Sequence, residues 1–259
     1  MKIFDSHAHY DDEKFNQDVE QVLQKIQQQG VNTVISAGYS LESSQKSIQL
    51  SKKYNFIYST CGISPNDIPN TIEELNEQLA KLEQLLSTNT KVIAIGEIGL
   101  DYYWNKDNKQ LQQTAFIQQI ELANKYNLPI VIHTREAIED TINIIKKVKP
   151  IKYGVFHCCP LNVELVKQAL KLGFYISFAG PITFKNSKNA DEIIQMVLLD
   201  KMLIETDSPY LSPEPKRGTR NDSGNLIYII EKISKIKNLT NEKIASNTHQ
   251  NAINIFNIK

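Results

Sequence analysis

The chain is short of several things, and each shortage argues against a class of protein. It has three cysteines, Cys61, Cys158 and Cys159, in 259 residues. An odd count without regular spacing is no disulfide framework, and an adjacent pair is poor geometry for holding one zinc. The three read as buried, reduced thiols. No apolar run approaches the roughly 20 residues needed to cross a bilayer. Asp5, His7 and His9 stand where a signal peptide would carry its apolar core. A soluble, cytoplasmic protein that avoids membranes is expected. Excess charge is also missing, with 29 basic and 29 acidic residues. That argues against a protein that holds nucleic acid mainly through phosphate charge, although bound metal ions can supply positive charge locally. No Gly/Ser-rich linker, repeat or low-complexity tract divides the chain. One domain over 1–259, read as a monomer, is expected.

What is present is an alternation. Short runs rich in Val, Ile, Phe and Tyr occur at 2–7, 32–38, 56–63, 91–99, 129–134, 153–158, 173–180 and 201–208. Several are apolar almost throughout, the pattern of parallel strands buried on both faces. Helical spacing appears at Val19, Leu23 and Ile26. It recurs over 71–87, 108–126, 136–147, 162–172, 188–199, 223–236 and 241–256. Thr71 and Glu74 are placed as a capping box. Eight alternating units predict an α/β fold of the (β/α)8 TIM-barrel type. A doubly wound open sheet is the alternative, but no Gly-rich nucleotide fingerprint follows the first strand.

Barrel enzymes carry their chemistry at the C-terminal ends of the strands. The chain has five histidines, and four fall there: His7 and His9 on strand one, His133 on strand five and His157 on strand six. Residues i and i+2 of a strand share a face, so His7 and His9 project together. His249 lies in the last helix and reads as a surface or packing residue. Glu97 on strand four and Asp207 on strand eight stand in equivalent places, where a buried carboxylate is costly unless paired or bound to metal. Asp5 and Asp101 are placed to support such ligands from behind. Four histidines, one glutamate and one aspartate exceed the needs of one tetrahedral ion and suit two divalent ions. Glu97 can bridge them through its two oxygens. With imidazole and carboxylate but no thiolate, Mg, Mn and Zn are all admitted.

His7-Ala8-His9, GEIGLDYY at 96–103, IHTRE at 132–136, FHC at 156–158 and ETDSPYL at 205–211 together resemble the TatD family of metal-dependent hydrolases. The likeness runs along essentially the whole chain, including NTHQNAINIF at 247–256. His-x-His alone is shared across the wider amidohydrolase superfamily; the combination in this order is specific. The resemblance implies a TIM barrel and a two-metal deoxyribonuclease, several members being 3′→5′ exonucleases. It implies that His7, His9, Glu97 and Asp207 hold one metal, and Glu97, His133 and His157 the other. Glu97 occupies the place where the wider superfamily often has a carboxylated lysine.

The chain also departs from the family pattern. Ser64 stands where the family often has a histidine after Cys-Gly-Ile. His157 is followed by Cys-Cys-Pro-Leu instead of Cys-Phe-Ser-Gly. Arg220 and Asn221 are kept, but the proline that usually follows is absent. These changes bear on substrate choice more than on metal binding.

Three functions compete at this level. The first is a phosphodiesterase acting on DNA, with Asp207 as both ligand and general base. Arg135 can pair with a phosphate or form a surface ion pair. Tyr103, with Tyr102 and Trp104, can stack on a base or pack over the barrel mouth. The second is hydrolysis of an ester or amide, specifically a D-aminoacyl-tRNA deacylase. The third, a non-catalytic metal-binding protein, calls for a missing ligand, and all six are kept.

Overall fold

A computed structural model describes residues 1–258. Among them the strands are β1 (Ile3–Ala8), β2 (Val31–Ser36), β3 (Ile57–Cys61), β4 (Val92–Asp101), β5 (Ile130–Arg135), β6 (Val155–Phe156), β7 (Tyr175–Phe178) and β8 (Met202–Ile204). The alternating helices are α1 (Val19–Gln28), α2 (Leu41–Lys53), α3 (Ile72–Thr88), α4 (Lys109–Tyr126), α5 (Ile138–Val148), α6 (Val163–Leu172) and α7 (Ala190–Met196). Two more, α8 (Leu226–Lys237) and α9 (Asn241–Phe256), follow β8. The strands form one eight-stranded sheet in sequence order, paired in parallel. Past β8, the Asp207 N–H donates to the His7 carbonyl (2.9 Å) and the His9 N–H to the Ser208 carbonyl (2.6 Å). The segment after the last strand thus returns to the first, as the (β/α)8 barrel requires.

Two compact units are distinguished, Met1–Ser36 with the chain from His157 onward, and Ala37–Phe156. In the first, β1 is buried along its whole length, and Phe4, Ile35 and Phe178 are shielded from solvent. In the second, every residue of β4 is buried, and Ile57, Ile95, Phe116 and Ile132 are sealed from solvent. Strands apolar on both faces are what a sheet covered by helices demands. Thr71 starts α3 by accepting the Glu74 N–H (3.2 Å), and Thr240 does the same for α9 with Lys243 (3.2 Å).

The structure departs from the sequence reading at one helix and at several strand ends, of which those of β4, β6 and β8 bear on the site. Helix α2 has no counterpart in the helical spacing read above. Its buried face is Ser43, Ser44, Ser47 and Ser51 around Ile48, so it carries almost no apolar periodicity. Small side chains let this helix lie close to the sheet: Ser44 Oγ exchanges hydrogen bonds with the Gly62 backbone (3.3 and 3.5 Å). Strands β6 and β8 are shorter than their apolar runs. His157 therefore lies just past β6, and Asp207 lies in the loop beyond β8. Glu97 is not at a strand end but inside β4, which continues through Asp101. The register of β4 against β5 shifts between Ile95 and Ile98, and such an irregularity re-aims the side chain it brackets.

The C-terminal end of α2 is closed by a lysine from β4's approach. Lys91 Nζ reaches the carbonyls of Ser51 (2.6 Å), Tyr54 (2.9 Å), Asn55 (3.3 Å) and Ile57 (3.1 Å). A cation there also opposes the negative end of the helix dipole. Burial lowers the Lys91 pKa from its usual value. Lys91→Met is expected to reduce unfolding stability by about 1–3 kcal/mol, the cost of carbonyls left without a donor. Chemical denaturation checks this; an unchanged midpoint would mean that water replaces the ammonium without loss.

Candidate metal centre

In the first unit, β1 delivers His7 and His9, and the loop after β8 delivers Asp207. The Nε2 atoms of His7 and His9 stand 3.2 Å apart. Asp207 Oδ1 lies 3.7 Å from the first and 3.3 Å from the second. Both imidazoles are buried, and the Asp207 side chain is 15% exposed. Ligand atoms at about 2.0–2.1 Å from one ion stand about 3.0 Å apart in octahedral and about 3.4 Å apart in tetrahedral geometry. The observed spacings match, so this donor set fits a divalent cation. Burial acts to raise the Asp207 pKa. The hydrogen bond and charge of His9, then the charges of His7 and His157, outweigh it, and the carboxyl lies below its usual value.

His157 joins the same cluster. Its ring stacks on His7 with centroids 4.0 Å apart, and its Nδ1 is 3.3 Å from Glu205 Oε1. Glu205 is fully buried, and its Oε2 has no hydrogen-bond partner among the described residues. A buried carboxylate oxygen without a hydrogen-bond donor, in a group with two imidazoles, fits a cation site. His7, His157 and Glu205 indeed offer ligand atoms within 4.8 Å of one another. Glu205 is the site residue that the sequence reading missed. The rule that singled out Glu97 and Asp207, a carboxylate at the end of a buried apolar strand, applies to it equally.

A polar framework beneath these residues fixes their backbone. Asp5 is fully buried and accepts the His7 N–H (3.3 Å), the Thr206 N–H (3.0 Å), and the hydroxyls of Thr206 (2.6 Å) and Ser223 (2.6 Å). Burial pushes its carboxyl up to about 7 in spite of these bonds. Asn221 Nδ2 donates to the carbonyls of Thr206 (2.9 Å) and Tyr210 (2.8 Å), clamping the loop that carries Asp207. Asp207 itself adopts φ 56°, a left-handed conformation that Asp and Asn enter more readily than most residues. Arg220 does not reach this cluster; it pairs with Asp18 (2.8 and 2.5 Å).

In the second unit, β4 and β5 place Glu97 and His133 together. His133 Nδ1 is 2.9 Å from Glu97 Oε1, and its Nε2 is 3.0 Å from Asp101 Oδ2. When Nε2 donates to Asp101, the Nδ1 lone pair faces Glu97, an arrangement that suits a shared cation. Asp101 thus stands behind His133 on the side away from Glu97. Burial acts to raise its pKa; the His133 hydrogen bond and the N–H groups of Trp104 and Tyr103 outweigh it, and the carboxyl lies below its usual value. Two glycines make this geometry possible. A Cβ on Gly62 would come within 2.7–2.9 Å of the Gly96–Glu97 backbone. Gly99, at φ 142°, sits where a Cβ would overlap the His133 carbonyl.

The departures noted in the sequence acquire local explanations. Ser64 is buried and donates to Asp67 Oδ2 (2.6 Å); its neighbour Asn66 reaches the site instead, with Nδ2 3.4 Å from Asp101 Oδ2. In the Cys-Cys-Pro-Leu segment the contribution comes from the backbone, the Cys158 N–H donating to Glu205 Oε1 (2.5 Å). None of the three cysteines is in a disulfide, and Cys61 and Cys159 are buried. Arg135 forms no ion pair among the described residues. Its guanidinium lies 3.8 Å from the Tyr103 ring centroid and 5.4 Å from that of Trp104. Tyr103 and Trp104 are 45% and 68% exposed, whereas Tyr102 is buried and donates to Asp140 (2.7 Å). His249 packs edge-on against Phe4 and touches Asn32 (3.2 Å).

A family model described as TatD related DNase matches residues 4–257. The chain belongs to the TatD family of metal-dependent hydrolases. It is 39% identical to an uncharacterized metal-dependent hydrolase of Bacillus subtilis, YabD, over 99% of both chains. It is 34% identical to another, YcfH of Escherichia coli, over the whole of this chain and 97% of the relative. Among solved structures it resembles YjjV, a TatD homolog from Escherichia coli. The TM-score is 0.93 at 26% identity, covering 99% of this chain and 98% of that one. The TatD barrel thus accounts for the whole fold. Among the described residues no helix is long and apolar enough to cross a membrane.

Proposed function

We propose that this TatD protein is a phosphodiesterase that hydrolyses DNA, releasing nucleotides in the 3′→5′ direction, with two divalent ions per chain. The observation that carries the reading is the convergence of His7 Nε2, His9 Nε2 and Asp207 Oδ1 in a chain whose family is described as TatD related DNase. In this reading His7, His9, Glu97 and Asp207 would hold one ion, and Glu97, His133 and His157 the other. Mg, Mn and Zn all suit these nitrogen and oxygen donors. When bound, such ions supply Lewis acidity and lower the pKa of a nearby water.

The chain's own groups do the rest. Asp207, held ionised by its imidazole neighbours, accepts the proton of the attacking water. Asp5, Thr206 and Asn221 keep its loop in place, and Asp101 fixes the His133 tautomer. Arg135, stacked on Tyr103, offers a planar donor fork to a phosphate and an aromatic face to a base. Hydrolysis of labelled single-stranded DNA with added Mg, Mn or Zn, beside D-aminoacyl-tRNA as the acyl competitor, tests the assignment. Processive loss of nucleotides from one end supports it. Deacylation without DNA cleavage would transfer the site to acyl chemistry.

A further inference from the structure

Near the His7–His9–Asp207 donors, within the same unit, an exposed ammonium is held in place without a carboxylate partner. Lys14 Nζ stands 4.3 Å from the centroid of the Tyr210 ring. That ring is 44% exposed and meets the His9 imidazole edge-on at 6.5 Å. No Asp or Glu among the described residues lies within ion-pair distance of Lys14 Nζ. The placement is built. Asp12 accepts the Lys14 backbone N–H through Oδ1 (2.8 Å) and the Tyr210 hydroxyl through Oδ2 (2.6 Å), so one buried carboxylate fixes both the Lys14 backbone and the ring on which its ammonium rests. Arg220 grips the Lys14 carbonyl (2.6 Å) while its two-point pair with Asp18 anchors it. Lys14 and the Tyr210 face contribute little to the core, since both are open to solvent.

We infer that Lys14 and Tyr210 form an anion subsite for a second phosphate of the substrate, next to the phosphodiester under attack. An ammonium is a compact charge suited to a phosphate, and the ring beneath it can support the adjoining sugar or base. In a chain of zero net charge, a lysine without a counter-ion beside the candidate centre gives a local preference for polyanionic substrates. This rests on the phosphodiesterase reading and narrows its substrate to polynucleotide ends or phosphorylated oligonucleotides over simple diesters.

The test compares TpT with its 5′-phosphorylated and 3′-phosphorylated forms, in wild type, Lys14→Met and Lys14→Arg. In wild type, one phosphorylated form is expected to exceed TpT in kcat/KM by about tenfold, a typical gain for one charged contact. Lys14→Met should bring that ratio to about one through KM, and Lys14→Arg should restore most of it. An unchanged ratio in Lys14→Met overturns the subsite. Calorimetric binding of the phosphorylated dinucleotides to metal-free protein gives a readout independent of turnover. Affinity weaker by threefold or more in Lys14→Met supports the subsite, and equal affinity overturns it. If no dinucleotide is cleaved with Mg, Mn or Zn, the phosphodiesterase reading fails, and the calorimetric result alone decides the subsite.

Discussion

Asp207→Asn is expected to lower kcat/KM on DNA by about 10³-fold or more, equivalent to about 4 kcal/mol of transition-state stabilisation. The substitution removes one negative oxygen from the proposed ligand set and the proposed proton acceptor for water in a single step. Asparagine is the informative replacement. It preserves the left-handed backbone at φ 56°, which alanine would strain. It also keeps an oxygen facing His9, now at 3.3 Å. The loop remains clamped by Asn221 and Asp5, so the melting temperature should move by only a few degrees. Steady-state kinetics beside thermal unfolding separate the two effects. Activity within tenfold of wild type would remove Asp207 from the role of base.

Glu97→Ala is expected to bring hydrolysis to background, a loss of at least about 10⁴-fold, because it takes one carboxylate from both proposed ions together. The fold should survive. Asp101 still holds His133 at 3.0 Å, and deleting a buried carboxylate whose charge was desolvated is often neutral or stabilising. Metal content is the second readout. The variant should bind fewer ions than wild type, with at most one retained on His7, His9 and Asp207. Wild-type activity or wild-type metal content in Glu97→Ala would refute the bridge.

Much of this was legible in the chain. His7, His9, His133 and His157 are conspicuous because histidine is scarce here, and each follows or ends an apolar run. The (β/α)8 order followed from the same runs. What escaped lies where periodicity and chemistry separate. Helix α2 hides its contact face in serines, so its pattern looks polar although four of them are buried. Glu205 sits beside the more conspicuous Asp207, and only the fold reveals that it touches His157. Glu97 reads as a strand end in a run that stops at 99, whereas β4 continues to Asp101, with its register against β5 shifting between Ile95 and Ile98. Ser64 and the Cys-Cys-Pro-Leu segment depart from the family pattern in ways that bear on substrate choice. Near them Asn66 donates to Asp101 and the Cys158 N–H to Glu205, contacts that a comparison of side chains at single positions does not register.

One measurement bears on the centre most directly. Protein stripped with a chelator is titrated with Mn or Zn while bound metal and hydrolysis of single-stranded DNA are followed together. Two equivalents per chain are expected, with exonucleolytic cleavage absent from the stripped protein and restored as the sites fill. DNA cleavage that persists without metal, or none with Mg, Mn or Zn at full occupancy, would contradict a metal-dependent deoxyribonuclease built on His7, His9, Glu97, His133, His157 and Asp207.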